Sequence, residues 1–185
     1  MKLTFIRHGE TDHNTKEIIQ GRTETELNEQ GKEQADARGK ELLKAQKAET
    51  HFSQIISSPR LRAQQTATII NTHLDLPIEI WDEFDEVHFG NFANKSWTEV
   101  ATMTNDPEIQ TKFRSMNFDL TDVAGESNTD VKARLKHAIE KMYQLYPEGH
   151  LLIITHAPII RMVFHLLHGE APVVIENAQC YEFDV

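Results

Sequence analysis

Two arginines and two histidines carry the chemistry most open to reading in this sequence: Arg7 beside His8 near the start, Arg62 farther along, and His156 near the end. A phosphoryl group spreads its charge over several oxygens, so a pocket for it needs positive charge and directed donors. Arginine suits that task because its planar fork holds two oxygens at once. His8 follows an apolar run at residues 3–7, His156 follows another at residues 151–155, and Arg62 lies just inside a helix expected after Pro59. Residues that follow the strands of an open α/β sheet gather at one edge. The four residues are therefore expected to converge on one phosphate-binding site.

The intervening chain supplies the elements such a site needs. Residues 3–7 read as a short buried strand, and Asn28 caps a helix running through Ala35, Leu42 and Leu43. Residues 54–57 read as a second strand, with Ser58 as the following helix cap and Pro59 at the first helical position. That helix carries Leu61, Ala63, Ala67 and Ile70, and residues 76–80 form another short strand. Ser127 and Asp130 make a capping pair for a helix with Val131, Leu135, Ala138, Met142 and Leu145 on one face. Pro158 opens a further helix through Ile159, Ile160, Val163, Leu166 and Leu167. Residues 173–175 and 178–183 predict one or two terminal strands. The alternation implies an α/β fold, a three-layer α/β/α sandwich with a mostly parallel mixed sheet. Residues 81–126 are less regular. Their aromatics Trp81, Phe84, Phe89, Phe92, Trp97, Phe113 and Phe118 are expected either to pack in the core or to form a small cap beside it.

With 185 residues and no visible linker, one domain over 1–185 is expected, and 39% hydrophobic against 26% charged residues is ordinary for a globular chain. A formal charge of -10 argues against nucleic acid or an anionic membrane as partner, since both demand a broad basic field. The single cysteine, Cys180, precludes an intrachain disulfide and fits a reducing compartment. The first apolar run is too short for a secretory signal, and no run approaches the ~20 apolar residues of a membrane span. A cytoplasmic protein is the expectation. Ser57 and Ser58 lack a Gly-x-Ser-x-Gly elbow. His165 and His168 are three residues apart, but a surface or packed helix accounts for them, so no metal or cofactor is expected.

Arg7-His8-Gly9-Glu10-Thr11 resembles the signature of the histidine phosphatase superfamily, which includes the cofactor-dependent phosphoglycerate mutases. The resemblance continues through Asn14, Gln20-Gly21, Ser57-Ser58-Pro59, Arg62-Ala63, Thr66-Ala67, Glu86, Gly125-Glu126-Ser127 and Thr155-His156, nearly the full chain. It implies that His8 is the nucleophile and forms a phosphohistidine. Arg7, Arg62 and His156 would complete the phosphoryl pocket, and Glu86 would protonate the leaving group. Gly9 would leave room for close backbone approach. Thr11, Asn14, Gln20 and Gly21 would contact the phosphate or substrate, or else stabilise the loop's turns. Glu10 reads as support for the loop or the substrate edge rather than as a nucleophile, because a carboxylate beside a dianion is repelled.

Within that resemblance the chain looks like a compact phosphatase. The stretch between Glu86 and Gly125 is short, and no extended tail encloses a bisphosphate, so water is the expected acceptor of a phosphoryl group taken from a small phosphorylated metabolite. Residues 81–126 would be a substrate-facing cap insertion. The alternatives are a phosphoglycerate mutase and a catalytically silent module that binds a phosphorylated ligand. Two departures bear on the subfamily: Ala157 replaces the usual glycine after the second histidine, and Ala93-Asn94 replaces a glutamate-glycine pair. Oligomeric state is left open.

Overall fold

The computed structural model describes residues 1–48, 50–172 and 174–185. β1 (Lys2–Arg7) turns Leu3 and Phe5 to one side and Ile6 to the other, and all three are fully buried. A strand apolar on both faces must be covered on both. After it come the short helix α1 (Asp12–Thr15), capped by Thr11, and the long helix α2 (Glu29–Ala48). Asn28 starts α2 as expected, its Oδ1 accepting the Gly31 N–H at 2.8 Å.

β2 (Gln54–Ser57) leads into α3 (Leu61–Leu74). The predicted cap at Ser58 is not there: Arg60 holds the capping position, without a side-chain bond, and Pro59 lies outside the helix. The Ser58 hydroxyl accepts from the Arg60 N–H at 3.3 Å and lies 2.7 Å from His156 Nε2, so a residue read as local punctuation also makes a shorter, long-range bond. β3 (Ile78–Ile80) forms an exposed sheet edge. Then follow α4 (Trp97–Thr104), α5 (Ile109–Arg114) and α6 (Asn128–Leu145). Ser127 and Asp130 cap α6 reciprocally, as predicted, and Val131, Leu135, Ala138 and Met142 are buried. Leu145 is not part of that face, being 57% exposed where the helix runs out past the sheet.

β4 (His150–Thr155), α7 (Ala157–His168) and β5 (Cys180–Asp184) close the chain. The strand order is β3-β2-β4-β1-β5, with β5 antiparallel to β1 and the other pairs parallel. Leu151 and Ile153 face α6 and α7, whereas Leu152 and Ile154 face α2 and α3, giving the three layers. Among the described residues a single terminal strand forms. Val174 and Ile175 lie outside it, and Val173 falls outside the described residues. Ile175 is buried in another way, with its carbonyl accepting from Arg7 Nη1 at 2.7 Å.

The irregular stretch divides in two. Trp81 and Phe84 pack one upon the other, and Phe84 meets Phe5 of β1 edge-on, so these two belong to the sheet's own core. Phe89, Trp97, Phe113 and Phe118 form a second group of ring contacts, with centroids 4.5–5.3 Å from that of Phe113, continuous with the same hydrophobic core. Asn94 adopts φ 63°, a left-handed conformation that asparagine tolerates better than most residues.

Candidate active site

Strand register explains why two distant histidines meet. Arg7 pairs with Thr155, and the ladder continues one step as the His8 N–H donates to the Thr155 carbonyl at 2.9 Å. The next residues therefore leave the sheet edge side by side, with ring centroids 5.3 Å apart. His8 Nδ1 lies 2.7 Å from the Gly9 carbonyl, which only accepts. Nδ1 must carry the proton, so Nε2 keeps its lone pair. Burial, then Arg62 and Arg7, hold the His8 imidazole well below its ordinary pKa, so it is neutral at pH 7. Gly9 does permit a close backbone approach, but to α2: a Cβ there would sit 2.4 Å from the Gly31 carbonyl oxygen.

Arg62, in the first turn of α3, is fully buried and donates to the carbonyls of Gly21 at 2.8 Å and Thr23 at 3.0 Å. It is thereby locked beneath the loop that follows His8. Burial lowers the pKa of both arginines, that of Arg7 to about 10 against the pull of Glu86, and each stays charged at neutral pH. His156 is fully buried, and its pKa is lowered chiefly by that burial and next by Arg62.

Glu86 reaches the same point from the irregular stretch. The Trp81 N–H donates to the Ser57 carbonyl at 3.0 Å, and the Thr155 hydroxyl donates to the Phe84 carbonyl at 2.8 Å. The chain is thus pinned to the sheet edge two residues before Glu86. The carboxyl is 3.6 Å from His156 Nδ1 and 3.9 Å from Arg62 Nη2, and it accepts from the Val87 N–H at 2.8 Å. Burial raises its pKa to about 7, outweighing Arg62 and the Val87 bond, with Asp85 adding to the rise.

A cavity of about 270 Å³ opens over these groups, lined by Arg7, His8, Asn14, Gln20, Gly21 and Glu86 on its polar side. Arg62 and His156 are fully buried and are not on its wall. Thr11 is also off the wall: it is fully buried, and its one hydroxyl proton is shared between Asn14 Oδ1 and Gln20 Oε1, both at 3.1 Å. These bonds occupy the amide oxygens of Asn14 and Gln20, and their amide nitrogens have no protein partner among the described residues. Gly21 holds φ 52°, with its carbonyl turned to Arg62. Glu10 is a loop support, accepting from Asn28 Nδ2 at 2.9 Å.

The opposite wall is apolar, with Ile18, Ile19, Phe89, Trp97, Phe113 and Val174, and it carries two further arginines, Arg114 and Arg161. Sequence reasoning passed over both. Arg161 had a signal, because it stands one turn beyond Ala157 on a helix that begins at His156. Arg114 had none, since only the tertiary path of α5 brings it near.

Three nitrogens around His8 are buried without a hydrogen-bond partner: the donors Arg7 Nε and Arg62 Nε, and the ring nitrogen His156 Nδ1, which donates when Nε2 accepts from the Ser58 hydroxyl. A buried unsatisfied polar group costs on the order of 1–3 kcal/mol, so three together at one point call for an explanation. Each belongs to a residue tied electrostatically to its neighbours at this site: Arg7 and Arg62 act on His8, and Arg62 and His8 act on His156.

The family model of the histidine phosphatase superfamily (branch 1) matches residues 3–182. The chain is 33% identical over 170 residues to an uncharacterized phosphatase, PhoE, of Bacillus subtilis (strain 168), covering 92% of this chain and 79% of that one. It is 31% identical over 166 residues to a metal-independent phosphoserine phosphatase of Arabidopsis thaliana, covering 88% and 67%. Among solved structures, the mycobacterial glucosyl-3-phosphoglycerate phosphatase Rv2419c in complex with VO3 superposes with a TM-score of 0.84 at 25% identity, over 98% of this chain and 90% of that one.

Proposed function

Because this chain belongs to the histidine phosphatase superfamily, we propose that it hydrolyses small phosphomonoesters through a phosphohistidine on His8, with Arg7, Arg62 and His156 on the phosphoryl oxygens and Glu86 as the proton donor. The cluster of buried, unpartnered nitrogens about His8 carries this reading. The lone pair on His8 Nε2 attacks phosphorus, and the bond to the bridging oxygen breaks as that oxygen takes the Glu86 proton. The Glu86 carboxylate then removes a proton from water. The resulting oxygen attacks phosphorus, the N–P bond breaks, and inorganic phosphate leaves with His8 neutral again. Asn14 and Gln20 offer amide donors at the rim, Gly21 holds Arg62 in place, and Thr11 supports both amides from behind.

Positive charge that other phosphatases take from a metal comes here from guanidinium groups, which supports a metal-independent reaction. Activity should survive a chelator, and complete loss restored by added metal would count against it. Residues 81–126 act as the substrate-facing part of a single domain. Their shortness between Glu86 and Gly125 supports water as acceptor over a mutase's second substrate position. The relatives named for phosphoserine and glucosyl-3-phosphoglycerate support a small phosphorylated metabolite as substrate, and the lone cysteine fits a cytoplasmic site of action.

The test is a panel of small phosphomonoesters assayed for inorganic phosphate, isomer formation and saturable binding, with and without a bisphosphoglycerate primer. Release of phosphate without primer, with acid-labile phosphate on the wild-type protein, is expected. His8→Ala should abolish both. Turnover that persists in H8A would overturn the mechanism, primer-dependent isomer formation would turn the reading to a mutase, and binding without turnover would turn it to a silent module.

A further inference from the structure

Glu126 belongs to a Gly125-Glu126-Ser127 segment that the mechanism above leaves unused. Its side chain is 17% exposed and makes four contacts. Oε1 accepts from Arg22 Nη2 at 3.0 Å and from Arg134 Nε at 3.2 Å, while Oε2 accepts from Arg134 Nη2 at 3.2 Å and from the His88 N–H at 2.8 Å. Both arginines continue to the Glu86 segment. Arg22 Nε donates to the Glu86 carbonyl at 3.1 Å, and Arg134 Nη1 donates to the Glu83 carbonyl at 2.7 Å, with Nη2 3.5 Å from the Glu86 carbonyl.

We propose that Glu126 is a positioning residue for Glu86: one carboxylate locks two guanidinium groups that grip the Glu86 backbone, fixing the height and direction of the carboxyl over the pocket. The neighbours fit this use. Gly125 lets the segment come close, since a Cβ there would lie 2.6 Å from the His88 carbonyl oxygen, and the Glu126 N–H donates to that same oxygen at 2.8 Å. Ser127 caps α6, the helix that delivers Arg134. Each of the three residues thus serves one end of the clamp.

The clamp is electrostatic as well as mechanical. Glu86 is faced by Arg7 from β1, Arg62 from α3, His156 at the head of α7, Asp85 in its own segment, Arg134 from α6, and Arg22 from the loop after α1. Arg22 also pairs with Asp85 at 3.1 Å, and Arg60 pairs with Asp85 at 2.8 Å. Glu126 is the counter-charge that Arg22 and Arg134 share. Without it Arg22 still has Asp85, but the positive charge of Arg134 acts on Glu86 with no carboxylate beside it and favours the ionised form, which cannot donate a proton.

The inference rests on Glu86 being the proton donor, and the experiment separates the two ideas. Wild type, Glu86→Gln, Glu126→Gln and the double variant are compared on an alkyl and an activated aryl phosphate across pH, with circular dichroism and melting as folding controls. E126Q should slow the alkyl ester on the order of 10- to 100-fold, part of what a misplaced general acid costs, and the aryl ester less. Its alkaline limb should move to lower pH, and the double variant should be no slower than E86Q, because residues acting as one unit are not additive. Equal losses on both esters, an unmoved limb, or an additive double variant would overturn the clamp while leaving Glu86 as acid. If E86Q itself slows both esters equally and slightly, the acid role falls and the clamp with it. Should E126Q not fold, Arg22→Met cuts one arm at a partly exposed position, and the same outcomes decide.

Discussion

In the proposed reaction a histidine and a carboxyl with opposed protonation needs share this pocket, and their environments set them apart. His8 must be neutral to attack, and burial beside two arginines holds it so. Glu86 must be protonated to donate, and burial lifts its pKa to about 7 in spite of Arg62. For an alkyl phosphate, kcat/KM should therefore fall as pH rises through ~7, since the acid is then lost, and E86Q should flatten that limb. An aryl phosphate, with its better leaving group, should show the limb weakly. An equal small loss on both esters in E86Q would remove Glu86 from the role. The same shift has a stability consequence. A carboxyl raised from 4.5 to about 7 binds its proton more tightly in the folded state, so stability falls as pH rises between those values, by up to about 3 kcal/mol. Depressed His8 acts in the opposite direction, with stability falling as pH drops below 6.5. Relative to wild type, E86Q should melt higher at pH 8 than it does at pH 4. A melting difference independent of pH would contradict the shift.

Element by element, what the sequence disclosed depended on whether local pattern or tertiary path decides the outcome. β1 and β4 were legible because each is an apolar run ended by a histidine, and once they are parallel neighbours in register the pair His8–His156 follows. The reciprocal cap at Ser127 was legible because both partners lie within one turn. Ser58 was misread for the converse reason: a cap is a local bond, and its better partner was 98 residues away. Residues 174–175 have a strand's composition, but they serve the pocket wall and Arg7. The arginines of the cap and clamp, Arg114, Arg22 and Arg134, gave no pattern at all. Ser58 carries a prediction of its own. S58A leaves the buried His156 Nε2 without its 2.7 Å partner, an omission worth on the order of 1–3 kcal/mol, and frees the ring to turn. Turnover should fall on the order of tenfold with a modest loss in melting temperature. Full activity would show that packing alone orients His156.

At the scale of the whole molecule, charge is distributed against the average. The chain carries -10, yet Arg7, Arg114 and Arg161 all line one cavity. An acidic body repels phosphate esters at long range, so capture depends on positive charge focused inside a low-dielectric mouth. That balance makes ionic strength an informative variable. Surface charges are screened over ~8 Å at physiological salt, while buried pairs are screened much less. Arg114, exposed at the end of α5, should act on capture and be salt-sensitive, whereas Arg7 and Arg62 should act on the chemical step and be nearly salt-independent. Arg114→Gln should raise KM about threefold at low salt, the ~0.6 kcal/mol typical of one exposed charge, and leave kcat in place. The effect should shrink toward nothing as salt rises, and it should be larger for an ester bearing a second anionic group than for one without. Arg62→Gln should instead depress kcat at every ionic strength. An R114Q variant with unchanged KM at low salt, or with a loss in kcat that salt does not touch, would place Arg114 outside the capture path and leave the apolar wall of Phe89, Trp97 and Phe113 as the determinant of substrate affinity on that side of the pocket.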